Sequence, residues 1–210
     1  MATVPETLTS TKKLFKNTNV AAVGDGLNPA LLNSQFFPEL GPAKAAFQVP
    51  QIGLFDFGKY NFIVQVEERR VIASDTSGEL SASSPVPAML RKFLLESKGV
   101  SVSGLGVNFT FEVLLDTSLS DFMVEGFVHP KLVARFGTSF RPNGLKFVLE
   151  RQDSLVQVTL DPVWGNPTTS LVTVNFHHEK PSLDTITKLV ELYGRYVGEV
   201  SGLVDKVFGG

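Results

Sequence analysis

The chain has 210 residues, 43% hydrophobic and 19% charged, with a formal net charge of −2. That length permits a sizeable core in one large domain or two small ones, and the charge balance lacks the basic surplus usual in nucleic-acid binders. No cysteine is present, which excludes disulfides, thiolate metal sites and cysteine nucleophiles.

The first residues, Met1 to Lys16, are polar and lack the apolar stretch of a secretory signal. No apolar run approaches the ~20 residues of a membrane span. These features predict a soluble, cytoplasmic protein without membrane contact. Phenylalanine occurs 17 times against one tryptophan and three tyrosines. A ring without a polar handle fills cores, so this bias predicts a β-rich interior.

Residues 1–50 are broken by Asn17, Asn19, Gly24, Gly26, Pro38, Gly41, Pro42 and Pro50 and read as an irregular N-terminal arm. Within it, Asn28 and Pro29 suit the start of a short helix reaching Gln35. Residues 51–210 read as an α+β domain, with a possible subdivision into 51–137 and 138–210. Ile52 to Phe57 is a short strand, and Gly58 to Asn61 a turn. Phe62, Val64 and Val66 alternate with Ile63, Gln65 and Glu67, the period of a half-buried strand. Val71 to Ser74 pairs back as a hairpin or continues that strand. After a Ser/Pro-rich loop, Pro85 or Pro87 opens a helix to about Ser97, with Met89, Leu90, Phe93 and Leu94 on its apolar face.

Gly106 to Val113 is the clearest strand, with Val107, Phe109, Phe111 and Val113 on one side. Thr117 to Phe136 reads as partly helical, capped by Ser118 or Ser120 and interrupted at His129-Pro130. Strands follow at Leu145 to Glu150, around Val156 to Leu160, and at Leu171 to Glu179, with a loop over Asp161 to Thr169. Ser182 caps a long terminal helix to about Val207, and Asp184 complements its dipole. The predicted class is α+β: antiparallel sheet, moderate helices and a long C-terminal helix. Ser103, Val107, Asn108, Phe109 and Glu112 recur as Ser170, Val174, Asn175, Phe176 and Glu179 at a constant offset of 67, which raises the possibility of two related strand–helix units.

The strand Val102 to Val113, with its Gly-Leu-Gly-Val-Asn-Phe stretch, resembles a segment of an uncharacterised bacterial or phage-associated α+β protein family. The resemblance spans only this strand. It implies a prokaryotic or phage origin and carries no activity.

Few constellations suit chemistry. His177 and Glu179 share one face of a strand, and such a pair can supply two metal ligands. A third ligand would come from His129, Asp161 or Asp153, and nothing in the spacing selects one. Gly104-Leu105-Gly106 leads into a strand, whereas a phosphate loop leads into a helix N-terminus. Gly24-Asp25-Gly26 lacks a preceding strand signal. Ser10 to Lys13 matches Ser-x-x-Lys without its companion motifs. Glu67-Glu68 diverge on adjacent strand positions. Arg69-Arg70 and Arg91-Lys92 would serve nucleic acid only if they met on one surface. The terminal Phe208-Gly209-Gly210 follows a helix, so it reads as a C-cap and not as a conjugation tail.

The most specific feature is a glycine stripe. Gly194, Gly198 and Gly202 recur every fourth residue in the terminal helix, where each costs roughly 1 kcal/mol relative to alanine. Residues four apart share a face, so the three expose a groove of bare backbone beside the apolar side that includes Tyr193 and Val197. The functional expectation is therefore a non-catalytic interaction or assembly protein. It self-associates through Gly194, Gly198, Gly202, Tyr193 and Val197, takes no cofactor, and has a protein partner (self or heterologous). The alternatives are a metal-dependent hydrolase using His177 and Glu179 and a nucleic-acid-associated accessory protein.

Overall fold

The computed structural model describes residues 12–31, 36–137 and 140–208. Among the described residues, nine strands form a single antiparallel sheet: β1 (Lys12–Asp25), β2 (Ala45–Val49), β3 (Ile52–Phe57), β4 (Phe62–Glu67), β5 (Arg70–Asp75), β6 (Ser101–Leu114), β7 (Leu145–Glu150), β8 (Leu155–Val163) and β9 (Asn166–Glu179). Their order is β2-β3-β4-β5-β1-β6-β9-β8-β7. The helices are α1 (Val86–Glu96), α2 (Leu119–Gly126), α3 (Pro130–Phe136), α4 (Leu183–Thr187) and α5 (Leu189–Phe208). The α+β class and the long C-terminal helix are as the sequence predicts.

Alternation places one face of the sheet against the helices. Val20 of β1 stands opposite Ala73 of β5 and Val107 of β6, and Val107 stands opposite Phe176 of β9. All four are fully buried and belong to one core with residues of α1, α2, α4 and α5. Phenylalanine fills this core: Phe37 lies edge-on to Phe57 and Phe62, and Phe109 to Phe176. Helix boundaries follow local chemistry. Ser118 accepts from the Asp121 N–H to cap α2, and Ser182 accepts from Thr185 to cap α4. His129-Pro130 separates α2 from α3, as expected.

The expectation of an irregular arm over residues 1–50 is corrected. Lys12–Asp25 is a central strand, paired with β5 on one edge and β6 on the other. Its alternation is carried by Thr18, Val20 and Ala22, small residues with a weak hydrophobic signal. Register shifts between Phe15 and Asn17 and between Val23 and Gly24 break the period further. The expected helix after Asn28 is a single 3-10 turn, Pro29–Leu31, with the Asn28 side chain accepting from the Ala30 N–H; its continuation to Gln35 lies outside the described residues. The expected loop over 161–169 is instead the end of a long hairpin, with β8 and β9 meeting around Trp164 and Gly165. The terminal helix is divided at Lys188.

The offset-67 repeat relates β6 to β9, which are neighbouring antiparallel strands with Asn108 opposite Asn175. The topology suggests another division. A long strand, β1, is followed by the meander β2 to β5 and by α1. A second long strand, β6, is followed by α2 and α3, the meander β7 to β9, and α4 with α5. The two long strands meet along their length, with Asn19 opposite Asn108.

Candidate functional site

Helix α5 is held by its aromatic face. Leu189, Tyr193, Tyr196, Val200, Val204 and Phe208 are buried. Tyr196 stacks on Phe176 at 4.0 Å, Tyr193 lies 5.6 Å from Phe109, and Phe208 lies 5.1 Å from Phe122. With ~100° per residue, Gly198 is two positions from both Tyr196 and Val200, and so points away from the sheet. Gly202 bears the same relation to Val200 and Val204. The helix runs unbroken through all three glycines. A Cβ added to Gly194, Gly198 or Gly202 meets nothing within 4 Å. The stripe therefore lies opposite the apolar face and not beside it, and it does not bring the helix closer to its own sheet. Tyr193 is fully buried and Val197 packs on the core, so these two are core residues and are removed from the predicted contact set.

Charged side chains on both flanks of the stripe are tied to the sheet. On one side Lys13 of β1 donates to Ser201 Oγ at 2.6 Å and pairs with Asp205 at 2.5 Å. On the other side Arg151 pairs with Glu199 at 2.5 Å, and Arg195 with Asp153 at 2.8 Å. These bonds draw the long side chains away from the glycines.

His178 is the group whose role the sequence conceals. Alternation turns it inward, to 5% exposure. Nδ1 lies 2.8 Å from the backbone oxygen of Asp153, and Nε2 lies 2.8 Å from the Tyr196 hydroxyl. A carbonyl only accepts, so Nδ1 carries the proton and Nε2 accepts from the tyrosine. Burial holds the imidazole below its usual range and pushes the Tyr196 phenol up. The bond from Arg195 holds the Asp153 carboxylate down. Both ring nitrogens are thus engaged in fastening the turn before β8 to α5. A second buried polar group ties β5 to the segment that leads into α1. Asp75 accepts from Ser84 Oγ at 2.7 Å and from the Ser77 N–H at 2.9 Å. The Tyr193 hydroxyl lies nearby. Burial raises its phenol, and Thr18 and Ser84 act in the opposite sense, although no hydrogen bond of standard geometry reaches the oxygen.

His177 and Glu179 do share the half-exposed face of β9, opposite Gly106 and Gly104. The proposed third ligands are elsewhere: His129 caps α3, Asp161 stands opposite Leu171, and Asp153 binds Arg195. Among the described residues, no group of three or more histidine, aspartate or glutamate side chains could hold a metal ion. The basic pairs lie in different layers. Arg69 and Arg70 pair with Asp25 and Glu67 at the β4–β5 turn, whereas Lys92 of α1 donates to the Phe36 carbonyl at 2.7 Å. A cavity of about 420 Å³, bounded by Pro38, Pro42, Lys44 and Tyr60, contains none of the candidate site residues read from the sequence. Gly209 and Gly210 lie outside the described residues.

The sheet face opposite the helices has an uncharged centre. Asn19, Asn108, Asn175 and Gln157 form one row across four strands, and Asn17, Thr110, Thr173 and Thr159 form the next. Asn175 leans over Gly106, where an added Cβ would lie 3.0 Å from its Oδ1. Among the described residues, no helix is long and apolar enough to cross a membrane. No protein-family model and no curated protein matches this chain.

Proposed function

We propose that the protein is a non-catalytic assembly component that self-associates through the outer face of α5. The supporting observation is the outward position of Gly194, Gly198 and Gly202 on an unbroken helix, with open space at each missing Cβ. Together they cost roughly 3 kcal/mol of helix propensity relative to alanine. A second helix meeting this groove approaches backbone directly, which permits a close crossing. The ion pairs on both flanks tether α5 to its sheet. The partner is a second copy of the chain, related by the twofold axis commonest in soluble oligomers.

The test is molar mass in solution, by light scattering, for the wild type and Gly198→Leu. The wild type is expected to be at least a dimer. The variant is expected to have at most half the wild-type molar mass and an unchanged circular dichroism spectrum, because the new side chain enters open space. A monomeric wild type at micromolar concentration sinks the reading. The hydrolase and nucleic-acid alternatives have no comparable observation behind them.

A further inference from the structure

Among the described residues, the sheet ends in two edge strands, β2 and β7. Strand β7 leaves Val148 52% and Leu149 45% exposed. Natural edges are usually short, charged or covered, because an exposed apolar edge recruits another strand. Beside β7, on the helix side, an apolar groove of about 280 Å³ is lined by Phe127, Phe147, Leu149, Leu203 and Val207.

The faces of β7 are fixed by β8. Leu145, Phe147 and Leu149 stand opposite Leu160, Val158 and Val156 and belong to the helix side. Lys146, Val148 and Glu150 stand opposite Thr159, Gln157 and Leu155 and belong to the open side. Residues directly opposite in an antiparallel pair lie on the same face. A twofold axis perpendicular to the sheet therefore joins two β7 strands only in registers that match faces.

Among those registers, the one centred on Val148 pairs residues 146–150 with charge as well as face matched. It sets Lys146 against Glu150 of the partner subunit, and Glu150 against the partner's Lys146. Phe147 meets the partner's Leu149, Leu149 meets the partner's Phe147, and Val148 meets itself. Centring on Phe147 sets Lys146 against the partner's Val148 and Glu150 against the partner's Gly144. Among the described residues, neither Lys146 nor Glu150 has an ion-pair partner. The other edge strand, β2, has the sequence AAFQV with no charge to select a register.

We propose that β7 pairs antiparallel with β7 of a second copy, in the register that places Val148 on the twofold axis. The two sheets become continuous, both helix layers lie on one side, and each partner's Phe147 and Leu149 close the mouth of the other's groove. This surface is separate from the glycine stripe and shares with that reading only the premise of self-association.

Charge reversal tests the register. Lys146→Glu alone sets glutamate against the partner's Glu150, and Glu150→Lys alone sets lysine against the partner's Lys146. Each single variant is expected to have at most half the wild-type molar mass by light scattering, with an unaltered circular dichroism spectrum. An equal mixture of the two is expected to regain the wild-type mass, because both contacts become complementary, and Lys146→Glu/Glu150→Lys is expected to keep that mass alone. Since the chain has no cysteine, Val148→Cys introduces one thiol, expected to give a disulfide-linked dimer on oxidation. Opposed strand positions are ~4.5–5.5 Å apart at Cα, within disulfide reach. Single variants that keep the wild-type mass while Gly198→Leu loses half of it or more overturn the β7 contact and leave the α5 reading standing. The converse result overturns the α5 reading alone. Single variants of reduced mass that do not regain it on mixing overturn the register. A monomeric wild type overturns both.

Discussion

The Tyr196 hydroxyl donates to Nε2 of His178 at 2.8 Å, joining the last strand to the C-terminal helix inside the core. Protonating His178 would place a second hydrogen between the same two atoms. Arg195 also points a donor at the tyrosine oxygen, 3.5 Å away, so the displaced hydroxyl proton has no acceptor in that direction. Burial accordingly holds the imidazole below its ordinary value. The unfolded chain binds this proton first, near pH 6.5. Stability from this group is therefore complete above about pH 6.5 and falls as the pH drops from there toward the folded pKa. Urea denaturation between neutral and mildly acidic pH is expected to show this loss. In His178→Gln that part of the slope should vanish, and an unchanged slope would refute the assignment.

Two glycine substitutions should move stability in opposite directions. Gly198→Ala adds a Cβ to open space on α5 and should stabilise the monomer by about 0.5–1 kcal/mol through helix propensity. Gly24→Ala would put its Cβ 2.2 Å from the backbone oxygen of Ser101. Neither strand can yield easily at that bulge, so a loss of about 3 kcal/mol is expected. Denaturant midpoints for the two variants check both signs.

Asp75 is 6% exposed and satisfies two donors, Ser84 Oγ and the Ser77 N–H. Asp75→Ala leaves both without that acceptor beside the start of α1. The expected cost is about 2 kcal/mol, read from chemical denaturation. An effect within experimental error would mean that these donors find other partners.

Trp164 is the chain's single tryptophan and stands fully exposed at the β8–β9 turn. Its fluorescence maximum should hardly change on unfolding, while circular dichroism reports the full transition. A blue-shifted native spectrum at high protein concentration would show that this hairpin tip is covered by another molecule.

Legibility in the sequence followed the strength of the side-chain pattern. Phe62 to Glu67 and Leu145 to Glu150 alternate with large residues and are found where expected. Strand β1 escaped because its inward positions are Thr18, Val20 and Ala22, its outward ones include Asn17 and Asn19, and two register shifts interrupt the period. Asparagine and glycine there resemble turn signals, yet pairing on both edges overrides local preference. The glycine stripe was legible as a stripe. Its direction was not, because the apolar residues of α5 cover a wide arc and only packing shows that Tyr193, Tyr196 and Val200 form its centre. The inward turn of His178 was implied by its alternation with Val174 and Phe176. The partner that explains it, Tyr196, lies on a different element and could not be identified from spacing.

The seam between β1 and β6 has a bearing on how the chain tolerates being divided. Each long strand has its own half on one side and the opposite half on the other. A fragment ending after α1 would turn fourteen-residue β1 from an interior strand into a bare border, and a fragment beginning at β6 would do the same to its mate. Either piece alone then presents a long unpaired template of the kind that drives strand-to-strand aggregation. Translation reaches β6 only after β1 to β5 and α1 have been made, so the nascent chain carries that open border until its second long strand arrives. Separately produced halves, brought together, are each other's natural cover.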